Sequence, residues 1–122
     1  MALLNILTPD FVFTDDRGVL TQITHEKFKQ INAVFTKKDA VRGGWHYHKR
    51  CCEYFYVISG CVDVHVKLGN KSEERIFHSG DMFMIEKNVR HNFLYLEDTY
   101  LVVMYDERIE SDDLTKDIYT DD

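Results

Sequence analysis

The segment Arg42-Gly43-Gly44-Trp45-His46-Tyr47-His48-Lys49-Arg50-Cys51-Cys52-Glu53, followed after six residues by Gly60, decides the fold of this chain. On a strand, side chains alternate faces with a period of two. His46 and His48 then point to one side, with Trp45 and Tyr47 on the other. Lys49 and Arg50 begin a polar break, and Glu53 opens the next strand, free to return beside the imidazoles. A second block, Gly80-Asp81-Met82-Phe83-Met84-Ile85-Glu86-Lys87-Asn88, leads to a further histidine, His91. Three imidazoles and one carboxylate (His46, His48, His91, Glu53) suit a divalent transition metal such as zinc, iron, manganese or nickel. Without a metal, the same set suits proton transfer. A plainer alternative pairs Glu53 with Lys49 or Arg50.

The remaining histidines read as surface or internally satisfied groups. His65 lies in Cys61-Val62-Asp63-Val64-His65-Val66-Lys67-Leu68, where Val62, Val64, Val66 and Leu68 form the buried face and His65 faces solvent with Asp63 and Lys67. His25 and His78 carry no pattern of their own.

Short apolar runs broken by glycine or charged turns continue in both directions. Val12-Phe13 and 19–24 flank the turn Asp15-Asp16-Arg17-Gly18. Further strands are expected over 31–36, 44–48, 53–59, 61–68, 75–78, 82–86, 92–96 and 100–105, with Gly69-Asn70 as a hairpin turn. Helix signals reduce to one short candidate over 111–116, capped by Ser111. About ten short strands in 122 residues imply an all-β sandwich or barrel, closed so as to remove exposed edges.

The length fits a single domain over 1–122, with no linker, repeat or low-complexity stretch, and the one proline, Pro9, precedes the body. The formal charge of −6 is uneven: from Asp106 onward eight acidic residues face only Arg108 and Lys116, while the rest of the chain is balanced. We therefore expect a solvated or partly frayed acidic tail from about residue 106. No basic patch invites nucleic acid. The opening Met1-Ala2-Leu3-Leu4-Asn5-Ile6-Leu7 has neither the positive flank nor the length of a signal peptide or membrane helix. Three cysteines, two of them adjacent (Cys51, Cys52), point to free thiols in a reducing cytoplasm and argue against a cysteine metal site.

The spacing His46, His48, Glu53, Gly60, then Gly80 and His91, resembles the two motifs of the cupin superfamily, over about residues 42 to 95. Glu86 and Asn88 stand where proline and glycine are often found. The resemblance implies a jelly-roll barrel, a double-stranded β-helix. Cupins host many chemistries, so the fold alone does not set the function.

Further segments resemble the sugar-nucleotide cupins, a group that includes dTDP-4-keto-6-deoxyglucose 3,4-ketoisomerases and, more distantly, dTDP-4-dehydrorhamnose 3,5-epimerases. They are Phe13-Thr14-Asp15-Asp16-Arg17-Gly18-Val19-Leu20, the Arg42-Gly43 approach to the histidines (one residue longer here, at Gly44 or Trp45), His91-Asn92-Phe93 and Tyr105-Asp106-Glu107. This likeness spans roughly residues 11 to 110. It implies an isomerase of a nucleotide-linked 4-keto-6-deoxyhexose in surface-polysaccharide or deoxysugar synthesis, with His46 as base and His48 as its partner in proton movement. Arg17 and Arg42 become candidates for the diphosphate or the enolate charge, and Tyr47, Tyr54, Tyr56 and Tyr95 offer acid or nucleobase-stacking roles, with Tyr47 and Tyr95 taken as substrate contacts. The ketoisomerase chemistry needs no cofactor, whereas His46, His48, Glu53 and His91 complete a metal set that such enzymes need not keep. The likeness also implies a homodimer in which exchanged N-terminal strands bring Arg17 to the neighbouring site. Alternatives are an epimerase, a metal-dependent cupin with another small-molecule substrate, and a non-catalytic binding cupin.

Overall fold

A computed structural model describes residues 2–111 and 115–120. Eleven strands follow one another: β1 (Leu4–Leu7), β2 (Phe11–Asp15), β3 (Gly18–Gln22), β4 (Gln30–Thr36), β5 (Val41–His46), β6 (Glu53–Ser59), β7 (Cys61–Leu68), β8 (Lys71–His78), β9 (Met82–Ile85), β10 (Arg90–Tyr95) and β11 (Thr99–Tyr105). Five form one sheet in the order β1-β9-β6-β11-β4, four form a second in the order β5-β10-β7-β8, and β2-β3 stand apart as a ribbon. All pairings are antiparallel. The double-sheet architecture is that of the jelly roll expected from the sequence. Among the described residues there is no helix, and none therefore long and apolar enough to cross a membrane.

Period-two patterning explains the two layers. Val62, Val64 and Val66 of β7 are fully buried while Asp63, His65 and Lys67 turn outward, and Phe83 and Ile85 of β9 join the same core. Phe55, Phe77 and Phe83 stack in series at the sheet interface, with ring centroids 4.7 and 3.9 Å apart. Aromatic stacking fills this part of the interior. Leu68, expected in the buried face, is instead exposed at the strand end beside the Gly69-Asn70 turn.

Three strand assignments differ from the sequence reading. β1 was not foreseen; Leu4 and Leu7 pair with Ile85 and Met82, and the Glu73 carboxylate accepts the N–H groups of Leu3 and Leu4 at 2.8 and 3.0 Å. β8 starts at Lys71 rather than Arg75, because the two-residue turn zips β7 and β8 along their full length. β5 ends at His46 rather than His48. Of the short helix expected over 111–116, positions 112–114 lie outside the described residues, and its flanks are joined by a Glu110–Lys116 bridge.

The acidic C-terminal segment is not frayed where it is described. Ile109 and Asp117 are buried, Asp117 completely. Tyr119 pairs with Tyr47 through two backbone hydrogen bonds of 2.9 and 3.0 Å. The charge count missed this because Ile109 and the Asp117 carboxylate turn inward while Glu107 and Glu110 remain exposed.

Candidate functional site

The lengthened approach to the histidines becomes a bulge with two residues more than its partner strand. On β10, His91 faces His46 and Phe93 faces Arg42, so Asn92 alone opposes Gly43, Gly44 and Trp45. An even number of additional residues keeps Arg42 and His46 on the same face. All three bulged residues have positive φ: 112° at Gly43, 57° at Gly44 and 64° at Trp45. Gly43 is required by close approach, since a Cβ there would lie 2.7 Å from the His91 carbonyl oxygen. Gly44 N–H is fixed by the Asn92 side-chain oxygen at 3.0 Å. Trp45 lies outside under the Lys67 ammonium, 4.1 Å from its ring centroid. At the opposite turn, Asn88 occupies the position of the missing glycine with φ 69°, a conformation asparagine tolerates, and its N–H donates to the His48 carbonyl.

These turns bring His46, His48, Glu53 and His91 together, with one ligand atom from each lying within 4.8 Å of the others. His48, Glu53 and His91 are buried, and His46 is half-buried. Each imidazole gives its Nδ1 hydrogen to a backbone carbonyl: His46 to Gly43, His48 to Asp117 and His91 to Val89. A carbonyl only accepts, so the Nε2 atoms carry lone pairs, and all three converge. His48 Nε2 lies 2.6 Å from Glu53 Oε1, His91 Nε2 lies 3.3 Å from the same oxygen, and His46 Nε2 lies 3.0 Å from His91 Nε2. The His48–Glu53 approach lacks hydrogen-bond alignment, leaving both buried atoms without a formal partner. Two facing imidazole lone pairs and an orphaned carboxylate oxygen call for a positive centre between them, a proton or a metal ion. The donor set fits a divalent transition metal.

The same surroundings separate the proton affinities. Burial holds the His46 imidazole below its ordinary range, and drives His91 down to about 4. For His48 burial acts in the same direction, but the Glu53 carboxylate and the Asp117 carbonyl outweigh it and raise the imidazole. Glu53 is fully buried, which favours its neutral form; the His48 contact and the other imidazoles reverse this and keep its carboxyl below the usual range. Without a metal, these surroundings favour a proton on His48 beside the Glu53 carboxylate over one on His46. The plainer pairing of Glu53 with Lys49 or Arg50 is overturned: Arg50 turns toward Asp117, 3.8 Å away.

The four residues sit in a cavity of about 280 Å³, whose lining includes Arg42 and Tyr95. Arg42 Nε donates to Thr36 Oγ1 at 2.8 Å, aligning the guanidinium at the mouth. Tyr95 is buried, and burial raises its hydroxyl, so it stays a donor. Tyr47 does not reach the cavity. Its ring packs on Tyr119, with Arg90 on its face at 4.6 Å. Arg17 is also outside, on the exposed turn of the ribbon, paired with Asp15. Tyr54 packs on Phe28 instead. Sequence reasoning missed Gln30, Asn32, Tyr105, Glu110 and Ile118, which complete the lining. Gln30 and Asn32 share parity with Val34 on β4, so a polar pair on an inward face was the available signal. His65 pairs with Asp63 and Glu74 on the outer face, and His25 with Asp10, as surface histidines.

Residues 34–105 match the cupin domain family. No curated protein matches in sequence. Among solved structures, a 3,4-ketoisomerase from Helicobacter canadensis superposes with a TM-score of 0.79 at 21% identity, covering 97% of this chain and 90% of its own. The 3,4-ketoisomerase QdtA from Thermoanaerobacterium thermosaccharolyticum, in a mutant form in complex with TDP-4-keto-6-deoxyglucose, gives 0.76 at 18% identity, over 88% of this chain and 83% of that one. A dTDP-4-dehydrorhamnose 3,5-epimerase from Sulfolobus tokodaii gives 0.72 at 19%, over 90% and 78%. At these identities the likeness is one of fold.

Proposed function

The chain belongs to the cupin domain family, and from that premise we propose that it is an isomerase of a nucleotide-linked 4-keto-6-deoxy sugar. The observation that carries this is the placement of His46 and His48 in one cavity with different partners: His46 is held by the Gly43 carbonyl, whereas His48 lies 2.6 Å from the Glu53 carboxylate, and the shifts follow, down for the first and up for the second. Paired titratable groups pushed apart in this way take the roles of base and acid. The proton at C3 of such a sugar is acidified by the 4-keto group. His46 removes it, giving an enediolate; the O3 hydroxyl hydrogen passes to O4, and His48 delivers a proton at C4 to leave the 3-keto isomer, the proton on His46 then returning His48 to its starting state. Return at C3 from the opposite face would give an epimer. Arg42 at the mouth offers a forked cation to the diphosphate or to the developing oxyanion, and Tyr95 a hydroxyl donor. A cavity of about 280 Å³ takes the sugar and leaves the nucleotide at the rim. The solved ketoisomerases and epimerases of the same fold support this assignment.

The convergent Nε2 lone pairs and the orphaned Glu53 oxygen favour a second property. His46, His48, Glu53 and His91 would hold zinc, iron, manganese or nickel. When bound, such an ion supplies Lewis acidity for a keto or enediolate oxygen. Metal and proton compete for the same lone pairs, so the metal-free state is the one in which His46 is available as base.

A homodimer and a reducing, cytoplasmic setting belong to the same proposal. The β2–β3 ribbon joins neither sheet and leaves Phe11, Val12, Phe13, Val19 and Leu20 each about half exposed or more, a surface that a second copy would cover. Arg17 at the ribbon tip would then reach the partner's cavity. The three free thiols, two of them buried, support the reducing setting.

Proton exchange on dTDP-4-keto-6-deoxyglucose in deuterated water, followed by NMR alongside elemental analysis, tests the assignment. Deuterium uptake at C3 or C4 that is lost in His46→Asn supports it. Absence of both exchange and nucleotide-sugar binding sinks it. Stoichiometric metal without exchange moves the site to another small-molecule substrate.

A further inference from the structure

The geometry points to Asp117 as a positioning residue that sets the tautomer and aim of His48 from a segment far along the chain. Of the three imidazoles, His46 and His91 give their Nδ1 hydrogens to carbonyls three and two residues earlier in their own stretch of chain. His48 gives its own to Asp117, 69 residues later. Only this imidazole depends on the docking of a separate piece of chain.

Asp117 grips the histidine loop with both of its ends. Its carbonyl takes the His48 Nδ1 hydrogen, and its fully buried carboxylate takes the N–H groups of Lys49 and Arg50 at 2.9 and 2.8 Å. The flanks repeat the attachment. Asp117 N–H donates to the Ile109 carbonyl at 2.8 Å, Tyr119 pairs with Tyr47, and the Lys49 ammonium lies 4.2 Å above the Tyr119 ring. A buried carboxylate filled by two backbone donors is held in one place, and through it so is the carbonyl three bonds away on the same residue. The consequence is chemical as well as mechanical. With its Nδ1 hydrogen held by that carbonyl, His48 turns Nε2 toward Glu53, protonated when the imidazole is charged and offering a lone pair when it is neutral; with the carbonyl withdrawn, the neutral ring is free to move its one hydrogen to Nε2 and lose that lone pair. The same segment supplies Glu110 and Ile118 to the cavity wall, so the residue that aims His48 also fixes the wall beside it.

The test uses the full chain as wild type, Asp117→Ala and Asp117→Asn. Two readouts distinguish aiming from mere packing: multiple-bond ¹⁵N–¹H spectra of the metal-free imidazoles at a pH where all are neutral, and titration with cobalt(II) alone followed by visible absorption. We expect wild-type His48 as the pure Nδ1–H form. In Asp117→Ala it becomes a mixture while His46 and His91 keep theirs, and cobalt affinity falls about 10- to 100-fold, the usual effect of losing a partner behind a ligand. Asp117→Asn, which retains one acceptor oxygen, falls between. A folded Asp117→Ala with unchanged tautomer and unchanged affinity overturns the inference, as does an Nε2–H His48 in the wild type. Should Asp117→Ala not fold, the wild-type spectrum and Asp117→Asn still decide. Failure of the wild type to bind cobalt would count against the metal proposal alone, since the tautomer comparison stands without it.

Discussion

Replacing Gly43 and Gly44 separately by alanine isolates the contribution of one backbone contact to the site. Both glycines have positive φ, but their surroundings differ. Around Gly44, at φ 57°, a Cβ would meet nothing within 4 Å, so Gly44→Ala carries only the cost of a left-handed residue, about 1 kcal/mol. Gly43, at φ 112°, lies outside the left-handed well, and its Cβ would meet the His91 carbonyl oxygen at 2.7 Å and Asn92 Cα at 3.1 Å. The dihedral alone costs about 1–3 kcal/mol. To restore ordinary contact, β5 must retreat from β10 by roughly 0.5 Å, stretching one or two ladder hydrogen bonds worth about 1 kcal/mol each. We therefore expect Gly43→Ala to lose about 2–5 kcal/mol, against about 1 for Gly44→Ala, in urea unfolding of the metal-free protein. Because the Gly43 carbonyl holds His46 Nδ1, solvent-deuterium exchange should fall on the order of tenfold or more in Gly43→Ala at temperatures where it remains folded. Equal destabilisation by the two substitutions would refute the close approach of the bulge to β10.

Four other outcomes follow from the site. Glu53→Gln removes the anion toward which His48 and His91 converge, and cobalt titration should show affinity reduced on the order of 100-fold, about 3 kcal/mol. The metal-free protein should lose stability on both sides of neutrality. His48, raised by Glu53, contributes below about 6.5 and loses that contribution as pH rises through its folded value, while His91, lowered to about 4, contributes above about 6.5 and fades as pH falls toward 4. Urea midpoints across pH should show the acid limb weakened in His91→Asn and the alkaline limb in Glu53→Gln; unchanged limbs would refute these assignments. Arg42→Ala should raise KM for the nucleotide sugar about tenfold or more with little change in melting temperature, and the opposite split would remove Arg42 from the mouth of the cavity. Phe13→Asp, on the exposed ribbon, should convert a dimer to monomer in sedimentation; an unchanged mass would place any partner elsewhere.

The histidines and Glu53 were legible because their spacing survives as strand parity, and the bulge left parity intact. The ribbon turn at Asp15–Gly18 was legible from its own chemistry. What the sequence concealed was long-range. Asp117 was counted among tail charges, because nothing local distinguishes a carboxylate that will meet two backbone N–H groups from one that stays in water. Tyr105 and Asn32 enter the cavity by the pairing of β4 with β11, a register set by tertiary packing. Arg17 matched a motif but lies outside this chain's own cavity, a placement that no linear pattern reveals. β1 is four residues long, and its ends are held by β9 and by Glu73, so its own composition carried little signal.

The distance in sequence between His48 and Asp117 also bears on how the molecule forms. Closing a loop of 69 residues comes before any return from the contact it makes, and the neighbouring links are as remote: Gln30 to Ile109 and Lys29 to Glu107 each span more than 75 positions. Topologies of this kind fold in milliseconds to seconds. The centre therefore needs closures as long as those that build the five-stranded sheet, where Leu4 meets Ile85 and Gln30 meets Tyr105, and a ligand held there stabilises the assembled barrel as a whole.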